Sequence, residues 1–371
     1  MLSRVVLAPD KFKGCLPAAE VAAVLAAGVA SVRPDVETVC RPIADGGEGT
    51  VDAVVSAGFT RARLTVAGPT GKPVKASYAR QGPVAVIEMA EASGLARLPD
   101  GRRAALTAST FGTGQLMQEA IRCGCNELVI GLGGSATTDG GTGLLAALGV
   151  RFLDGDGTPL PPGGAALQHL ARIDAAGLSL RGVKITVASD VAVPLCGPTG
   201  AATMFGPQKG ASAADVETLE AGLARLAIVM AEHLGVNHAD RAGAGAAGGT
   251  GFALMSMLGA EIRPGVDVVL DAVGFDVVVA GAELVVTGEG AVDAQTLQGK
   301  APMGVLRRAL AAGAQVALVG GRVDVTDAEL EACGFAASWS LSRLAERPGD
   351  SFDRASELLE VAGRAIAARF S

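Results

Sequence analysis

The chain has 371 residues and a net charge of −7, with 31 basic and 38 acidic side chains. The length predicts about two domains, and a chain of this size can bury a core without disulfides or a structural metal. Because no basic stripe or arginine-rich run is present, binding to nucleic acid or to an anionic membrane surface is not expected. Hydrophobic residues make up 49% and glycine 52 positions, with one Trp and one Tyr, which indicates an Ala, Val and Leu core typical of helices on a parallel sheet.

Cysteine usage and the N-terminal residues predict a cytoplasmic protein. The six cysteines form no Cys-x-x-Cys pair, so free thiols in a reducing compartment are expected. The first ten residues read as a strand and contain no signal-peptide core. The most apolar long stretch, residues 265–288, carries four acidic side chains, which exclude it as a membrane span.

The N-terminal elements alternate in the manner of a parallel α/β sheet. A buried strand at 5–8 precedes a helix at 21–32, which follows Pro17, and a strand at 38–43 precedes a helix at 50–57. The pattern then changes, because three short apolar segments at 64–66, 74–78 and 84–87 are separated by Gly/Pro turns. They predict an antiparallel meander and the start of a second domain.

The middle of the chain predicts further strands and helices. In chain order these are a helix at 113–123, a strand at 128–130, a helix near 144–148, a hairpin at 150–162, a strand at 185–188 and a helix at 216–234. Ser212 and Asp215 are placed to cap the last helix. Residues 241–251 are almost all Ala and Gly, which fits either a linker or a backbone loop.

Strand and helix alternate again at 284–286, 302–312 and 316–319. The return of this pattern predicts a discontinuous first domain, residues 1–63 and 283–371, with a mixed-sheet domain inserted at 64–282. The predicted fold class is therefore α/β, with two α/β domains.

Acid-and-glycine turns occur three times where strands should meet helices: at 45–49, within 131–143, and at 288–290 followed by Asp293. Glycine lets backbone N–H groups approach an anion, and a helix start adds positive potential. Carboxylates in the same turns would repel a bare phosphate unless a divalent cation lies between them. The turns predict a metal–nucleotide or another phosphorylated ligand.

A rival interpretation rests on Gly131, Gly133 and Ala136, which match the dinucleotide fingerprint, with Asp154 at a suitable distance. It predicts a nicotinamide-dependent dehydrogenase. That fingerprint requires a helix to begin at its second glycine, whereas residues 137–143 intervene and their glycines would each weaken the helix by about 1 kcal/mol. A longer anion-binding loop fits better, and a glycine-rich turn without a ligand stays open for any one loop.

Polar residues also follow the predicted strands. Asp10, Lys11 and Lys13 follow the first strand, and Asp190 follows the strand at 185–188, where it could accept a hydroxyl proton or act as a helix cap. Lys209 lies in a rigid turn at 205–210.

No Walker A sequence is present, because residues 68–73 have the wrong spacing and read as a hairpin turn.

Together these segments resemble the bacterial glycerate kinase family, the type unrelated to the larger two-domain glycerate kinases. The similarity covers nearly the whole chain in family order, in segments 8–14, 44–50, 131–141, 205–210, 287–290, 293–296 and 299–302. It implies ATP-dependent phosphorylation of D-glycerate with Mg²⁺ to 2-phosphoglycerate, and a flavodoxin-like domain joined to a second α/β domain with the site in the cleft between them. This chain has Ala291 and Val193 where the family usually has Arg and often has Asn.

The resulting hypothesis is in-line phosphoryl transfer to a glycerate hydroxyl. Catalytic candidates are Asp190 as base, and Asp10, Lys13 and Lys209. ATP-binding candidates are Gly46, Gly47, Gly133, Gly134, Ser135, Gly140, Gly141, Gly288, Gly290 and Lys300. Magnesium candidates are Asp45, Glu48, Asp139, Glu289 and Asp293. An NAD(P)-dependent hydroxy-acid dehydrogenase and a non-catalytic nucleotide sensor are the alternatives, and a homo-oligomer stays open.

Overall fold

The structure, a computed structural model, describes residues 2–180, 182–347 and 349–370. The chain forms two compact units. Unit 1 comprises Met1–Asp45, Asp52–Gly58 and Val266–Ser371, and unit 2 comprises Gly46–Val51 and Phe59–Gly265. Each unit has its own sheet and its own apolar core.

The secondary structure alternates much as predicted. The strands are β1 (Arg4–Pro9), β2 (Glu37–Cys40), β3 (Thr60–Ala67), β4 (Pro73–Gln81), β5 (Val84–Glu88), β6 (Glu127–Gly131), β7 (Arg151–Leu153), β8 (Arg172–Asp174), β9 (Lys184–Ala188), β10 (Glu261–Arg263), β11 (Leu284–Val292), β12 (Gln315–Val323) and β13 (Ala337–Ser340). The helices are α1 (Ala18–Val32), α2 (Thr50–Ser56), α3 (Ala90–Ser93), α4 (Phe111–Arg122), α5 (Thr142–Ala147), α6 (Ala201–Phe205), α7 (Ala213–Leu234), α8 (Ala246–Leu258), α9 (Gly265–Ala272), α10 (Phe275–Val279), α11 (Ala301–Ala311), α12 (Asp327–Cys333), α13 (Leu341–Leu344), α14 (Asp350–Asp353) and α15 (Ala355–Arg369).

The sheet of unit 1 is parallel throughout, in the order β13-β12-β11-β1-β2. We renumber the five strands 1 to 5 by their appearance along the chain and start from the β2 edge of the sheet. Their order is then 2-1-3-4-5, which is the flavodoxin-like order. The expectation of a parallel sheet built from both chain ends is confirmed. Its core consists mainly of Val, Leu and Ala, and Val5 and Leu7 of β1 and Val286 of β11 are fully buried in it.

Helix α1 shows how the sequence pattern builds unit 1. Its buried residues include Val21, Leu25 and Val29, spaced four apart on one face, and Pro17 occupies its N-cap position. Gly28 lies against α15, where an added Cβ would come within 2.4 Å of the Glu360 carbonyl oxygen. The glycine therefore lets the two helix backbones approach closely.

The sheet of unit 2 is mixed, in the order β10-β9-β6-β5-β4-β3. Strands β5, β6, β9 and β10 are parallel, whereas β3, β4 and β5 form the predicted antiparallel meander. The turn at 68–73 joins β3 to β4 as a hairpin, as expected, and the mixed sheet of the predicted fold class is confirmed.

The unit boundaries differ from the predicted segments in three places, of which the first is that residues 46–51 belong to unit 2. Residues 59–63 belong to unit 2, because β3 already begins at Thr60. Residues 266–282 belong to unit 1, where the Val266 side chain packs over Gly304 of α11 and leaves no room for a Cβ there. The division of the chain into two domains stays a prediction.

One local expectation needed correction, and one alternative left open by the sequence is decided. β7 pairs with β8 in antiparallel fashion, so the predicted hairpin at 150–162 is reduced to a turn with a single bridge between Leu153 and Pro159. Residues 243–251 are buried rather than forming a linker, and Ala247, Gly248 and Gly249 all have positive φ at the start of α8. An alanine in this conformation is strained, so tight packing around it must hold the backbone.

The predicted cap of α7 is present as a capping box. The Ser212 hydroxyl accepts the Asp215 N–H, and the Asp215 carboxylate accepts the Ser212 N–H. Ser212→Ala is expected to lower the free energy of unfolding by about 1 kcal/mol, because one helix-terminal N–H loses its acceptor. Urea unfolding followed by circular dichroism measures this, and an unchanged midpoint would show that the cap does not stabilise the helix.

None of the helices in the part of the chain described is both long enough and apolar enough to span a membrane.

Candidate active site

Acidic side chains of unit 1 lie at the carboxyl edge of its sheet. Asp10 follows β1 directly, and Glu289 lies in β11. The residues just before them, Pro9 and Gly288, are paired in the sheet. Strands β1 and β11 flank the point where the strand order reverses. Open α/β sheets bind ligands at this switch point, so the fold places Asp10 and Glu289 where a ligand is expected.

Asp10 is the most strongly perturbed carboxyl of this edge. Its side chain is only 7% exposed, its Oδ1 accepts the Lys11 N–H at 2.6 Å, and Lys11 Nζ lies 3.6 Å from Oδ1. Burial raises the pKa of Asp10 to about 7, Lys11 opposes the shift, and the charges of Asp45 and Glu289 add to it. A carboxyl with a pKa near neutrality can accept or release a proton at physiological pH.

Glu289 and Asp293 share Thr296 as a hydrogen-bond donor. The Thr296 hydroxyl lies 2.6 Å from Glu289 Oε1, and the Asp293 Oδ1 accepts the Thr296 N–H at 3.0 Å. Burial raises the pKa of Glu289, whereas hydrogen bonding from the Thr296 backbone lowers the pKa of Asp293. Lys300 Nζ lies 3.7 Å from Asp293 Oδ1, so a cation neighbours the carboxylates.

This acidic edge fits a magnesium ion that brings ligands of its own. No three His, Cys, Asp or Glu side chains among the residues described are arranged to hold a metal by themselves. Magnesium generally takes one or two protein carboxylates and completes its shell with water and phosphate oxygens. The mutual repulsion of Asp10, Asp45 and Glu289 would be relieved by such a cation. Glu48, the other acidic residue of the turn at 45–49, is exposed and belongs to unit 2.

Lys13 lies exposed in the turn after β1, next to a glycine of β11. A Cβ on Gly290 would come 3.1 Å from the Lys13 N atom, so the turn and the strand are closely packed. Gly288 is more constrained, because its Cβ would lie 1.8 Å from the Val319 carbonyl oxygen of β12. The requirement for glycine at 288 therefore comes from strand packing.

The first two glycine-rich turns pack against each other inside unit 2. A Cβ on Gly131 would lie 2.4 Å from the Gly46 carbonyl oxygen, and one on Gly133 would lie 2.6 Å from the Gly47 Cα. These contacts are backbone against backbone, which only glycine allows. Gly134 is the exposed residue of the loop, with φ +73°, and we name Gly133 and Gly134 the loop tip.

The following loop residues are buried. Gly140 and Gly141 have φ of +62° and +73°, and their added Cβ atoms would meet Leu226 at 2.3 Å and Ala253 at 2.5 Å. Ser135 is 7% exposed and bridges to Gly94. The expectation that Gly140 and Gly141 hold phosphate is not favoured by these surroundings, because apolar side chains cover them.

Asp139 is fully buried within unit 2, and both of its oxygens accept hydrogen bonds. Oδ2 accepts the Thr110 N–H at 2.8 Å, the Thr110 hydroxyl at 2.9 Å and the Gly143 N–H at 3.2 Å, and Oδ1 accepts the Gly141 N–H at 3.1 Å. Burial raises the pKa of Asp139, while these donors lower it. A magnesium ligand at this position would have to replace internal hydrogen bonds, so the predicted metal role is not favoured.

Lys209 is buried rather than exposed to a ligand. Lys209 is the last residue of a short 3₁₀ turn, and its Nζ donates to the Thr137 carbonyl oxygen at 2.6 Å. Burial lowers the pKa of Lys209 to about 7, and the charge of Asp139 opposes that shift. Direct contact with an anionic substrate, as expected from the sequence, is therefore not favoured.

Asp190 follows β9, as predicted, two residues after the strand ends at Ala188. Its Oδ1 accepts the Gly265 N–H at 2.9 Å, at the first residue of α9. This bond matches the alternative in which Asp190 serves as a helix-start acceptor. Its assignment as a base stays a prediction.

Two polar residues near these loops were not singled out by the sequence analysis. Glu88, at the end of β5, accepts the N–H groups of Gly49 and Val51 and so holds the turn at 45–49. Arg322 of β12 pairs in register with Ala291 and lies 2.8 Å from Asp324. The strand-end rule that selected Asp10 would also have selected Glu88, whereas Arg322 gave no sequence signal.

The structure also bears on the dinucleotide fingerprint. Helix α5 begins at Thr142, with Gly141 as its N-cap, and not at Gly133. The loop therefore lacks the helix N-terminus on which a dinucleotide pyrophosphate binds. This argues against the dehydrogenase.

A flavodoxin-like sheet with carboxylates at its switch point, and a mixed sheet followed by a glycine-rich loop, define a two-unit α/β protein of the kind that handles small phosphorylated ligands. The chain belongs to the glycerate kinase family, whose sequence model matches residues 5–371. This confirms the resemblance found in the sequence.

Individual relatives are similar over most or all of the chain. A glycerate kinase of Bacillus subtilis is 43% identical over 98% of this chain and 97% of its own. A glycerate 2-kinase of Escherichia coli is 44% identical, covering 81% of each chain. A crystal structure from Salmonella typhimurium LT2, assigned as glycerate kinase 2, superposes with a TM-score of 0.89 at 40% identity and covers 100% of this chain and 98% of that one. Neither the dehydrogenase nor the sensor is supported by these relatives.

Proposed function

We propose that the protein transfers the γ-phosphoryl group of ATP to D-glycerate, giving 2-phosphoglycerate and ADP in organic-acid metabolism. The observation that carries the proposal is the family match across residues 5–371, with kinase relatives similar over nearly the full chain. The E. coli relative named glycerate 2-kinase supports the 2-position. Six free cysteines are consistent with the reducing cytoplasm that we propose as its location.

In the proposed reaction a glycerate hydroxyl oxygen forms a bond to the γ-phosphorus, and the bond from that phosphorus to the β,γ-bridging oxygen breaks, so ADP leaves with the electron pair. The hydroxyl proton passes to a carboxylate. We assign this role to Asp10, because it lies at the switch point of unit 1 and has a pKa of about 7. Phosphoryl transfer depends mainly on positioning and charge neutralisation, so one general base contributes only part of the rate.

The other proposed site residues of unit 1 are charged. Asp45, Glu289 and Asp293 would hold Mg²⁺, and Lys13 and Lys300, with Arg322 close to Ala291, would hold anionic oxygens. Bound magnesium neutralises phosphate charge. In unit 2 the N–H groups of the loop tip, Gly133 and Gly134, are the proposed phosphate contacts, because they are the part of the loop that is not fully covered.

Replacing Asp190 tests the competing assignment of the base. Asp190→Asn is expected to retain kcat within about ten-fold, because an amide oxygen can still accept the Gly265 N–H. Steady-state kinetics with saturating ATP measure this. A loss of about a thousand-fold, with the thermal midpoint unchanged, would return the role of base to Asp190.

A coupled assay of ADP release, run with a panel of small hydroxy acids, tests the function itself. ADP release is expected only when glycerate and Mg²⁺ are both present. Reduction of NAD(P)⁺ with a hydroxy acid and without metal would instead identify a dehydrogenase. ATP binding without turnover, measured by calorimetry, would identify a nucleotide sensor.

A further inference from the structure

Asp139 joins the starts of two helices of unit 2. Its carboxylate accepts N–H groups from Thr110, at the N-cap of α4, and from Gly141 and Gly143, at the start of α5. The Thr110 hydroxyl, which also donates to Asp139, accepts the Leu144 N–H at 2.8 Å. One carboxylate thus fixes the C-terminal end of the glycine-rich loop against two helix starts, where a negative charge is favourable.

Lys209 fixes the same loop two residues earlier. The residue is 1% exposed, and its Nζ donates to the Thr137 carbonyl oxygen at 2.6 Å, with Asp139 as its charged neighbour. The contact is long-range in sequence, because the lysine is presented by the 3₁₀ turn Pro207–Lys209. A Cβ on Gly248 would come 2.0 Å from the same carbonyl oxygen, so the Thr137 peptide group is held from two sides.

Burying the polar groups around residues 137–139 and Lys209 lowers the stability of the folded state. The Thr137 and Thr138 hydroxyls are buried and have no hydrogen-bond partner among the residues described, and Lys209 and Asp139 are both withdrawn from water. Apolar side chains of similar size would generally stabilise a core at least as well as buried charged side chains. Because Lys209 and Asp139 are not the best choice for stability, we infer that their contribution is to fix the geometry of the loop.

We propose that Asp139 and Lys209 are positioning residues, which hold residues 137–143 so that the loop tip presents its N–H groups to the phosphates of ATP. The proposal rests on the proposed function, because it takes ATP as the ligand of the tip. It removes both residues from direct contact with substrate. Thr137 and Asp139 anchor the buried end of the loop, and Gly133 and Gly134 form its accessible end.

The test compares Lys209→Met, which keeps chain length and removes the charge, with Lys75→Met, an exposed control on β4. For Lys209→Met we expect the KM for ATP to rise at least ten-fold, with the KM for glycerate and kcat within about three-fold of the wild type. The double variant Asp139→Asn/Lys209→Met should be no worse than Asp139→Asn alone, because both groups act on one loop. The fraction folded at the assay temperature is checked by circular dichroism.

Unchanged kinetics in Lys209→Met would overturn the proposal, and so would a kcat loss of a thousand-fold at constant KM for ATP, which would mean that the lysine acts on the transferred group. If Lys209→Met does not fold, Lys209→Arg takes its place. The larger guanidinium should displace the Thr137 carbonyl and raise the KM for ATP, and an unaltered KM contradicts the proposal. Wild-type enzyme without ADP release would refute the proposed function instead, so the two failures are distinguishable.

Discussion

Asp10→Asn is expected to lower kcat/KM by about 10²–10⁴, because the amide can accept the Lys11 N–H but cannot take a hydroxyl proton. The wild-type enzyme should become more active as pH rises through the pKa of Asp10, which burial raises above its ordinary value. The variant should lose this pH dependence together with its activity. A pH series of kcat/KM from 5.5 to 9 measures both effects, and a variant that keeps the wild-type profile would remove Asp10 from the reaction.

The same substitution should raise stability at high pH. The folded state raises the pKa of Asp10 from 3.8 to about 7, so its stabilising contribution is present below the unfolded pKa and is lost as pH rises through the folded pKa. Asn carries no charge at any pH. At pH 8, without Mg²⁺, the variant should therefore be more stable than the wild type by up to about 4 kcal/mol, an upper estimate at 1.36 kcal/mol per pKa unit.

Thermal midpoints at pH 5 and pH 8 test this linkage, with Asp156→Asn in an exposed turn as the matched control. The difference between Asp10→Asn and the wild type should grow with pH, whereas the control should show no trend. A variant less stable than the wild type at pH 8 would mean that Asp10 is not strained by its burial.

The second large effect is expected for Gly131→Ala. The new Cβ would come within 2.4 Å of the Gly46 carbonyl oxygen, and neither backbone segment can move away without disturbing the sheet of unit 2. Overpacking of this kind against backbone should lower the free energy of unfolding by at least about 3 kcal/mol. Gly155→Ala is the control, because a Cβ there meets nothing within 4 Å.

Chemical unfolding of the two alanine variants measures the difference, and ATP binding is followed in parallel. If Gly131 were needed only to let an anion approach, Gly131→Ala would keep its stability and lose ATP affinity. That outcome would contradict the packing explanation for this glycine.

The order of the elements could be predicted because it depends on local patterns. Val21, Leu25 and Val29 mark the buried face of α1, and Ser212 with Asp215 marks the start of α7. The pairing of β7 with β8 and the place of residues 266–282 in unit 1 depend on contacts between distant segments, which no local pattern encodes.

The same distinction applies to the site. Asp10 was singled out because it follows a strand of a parallel sheet, and Glu289 because it lies in an acid-and-glycine turn. Their roles stay predictions. From the sequence, the glycines of the three turns were expected to allow an anion to approach the backbone. The requirement for glycine at Gly131, Gly140 and Gly288 comes instead from packing against neighbours remote in sequence. The burial of Lys209 and Asp139 likewise depends on tertiary structure, so both were expected to contact ligands.

The most direct test of the central claim is a proton-coupled ³¹P NMR spectrum of the purified protein with D-glycerate, ATP and Mg²⁺. The account predicts a new phosphomonoester resonance split into a doublet by the single proton on C2, appearing together with ADP. A triplet would place the phosphate on C3 and contradict the proposed product, and the absence of any new phosphomonoester would contradict glycerate phosphorylation itself.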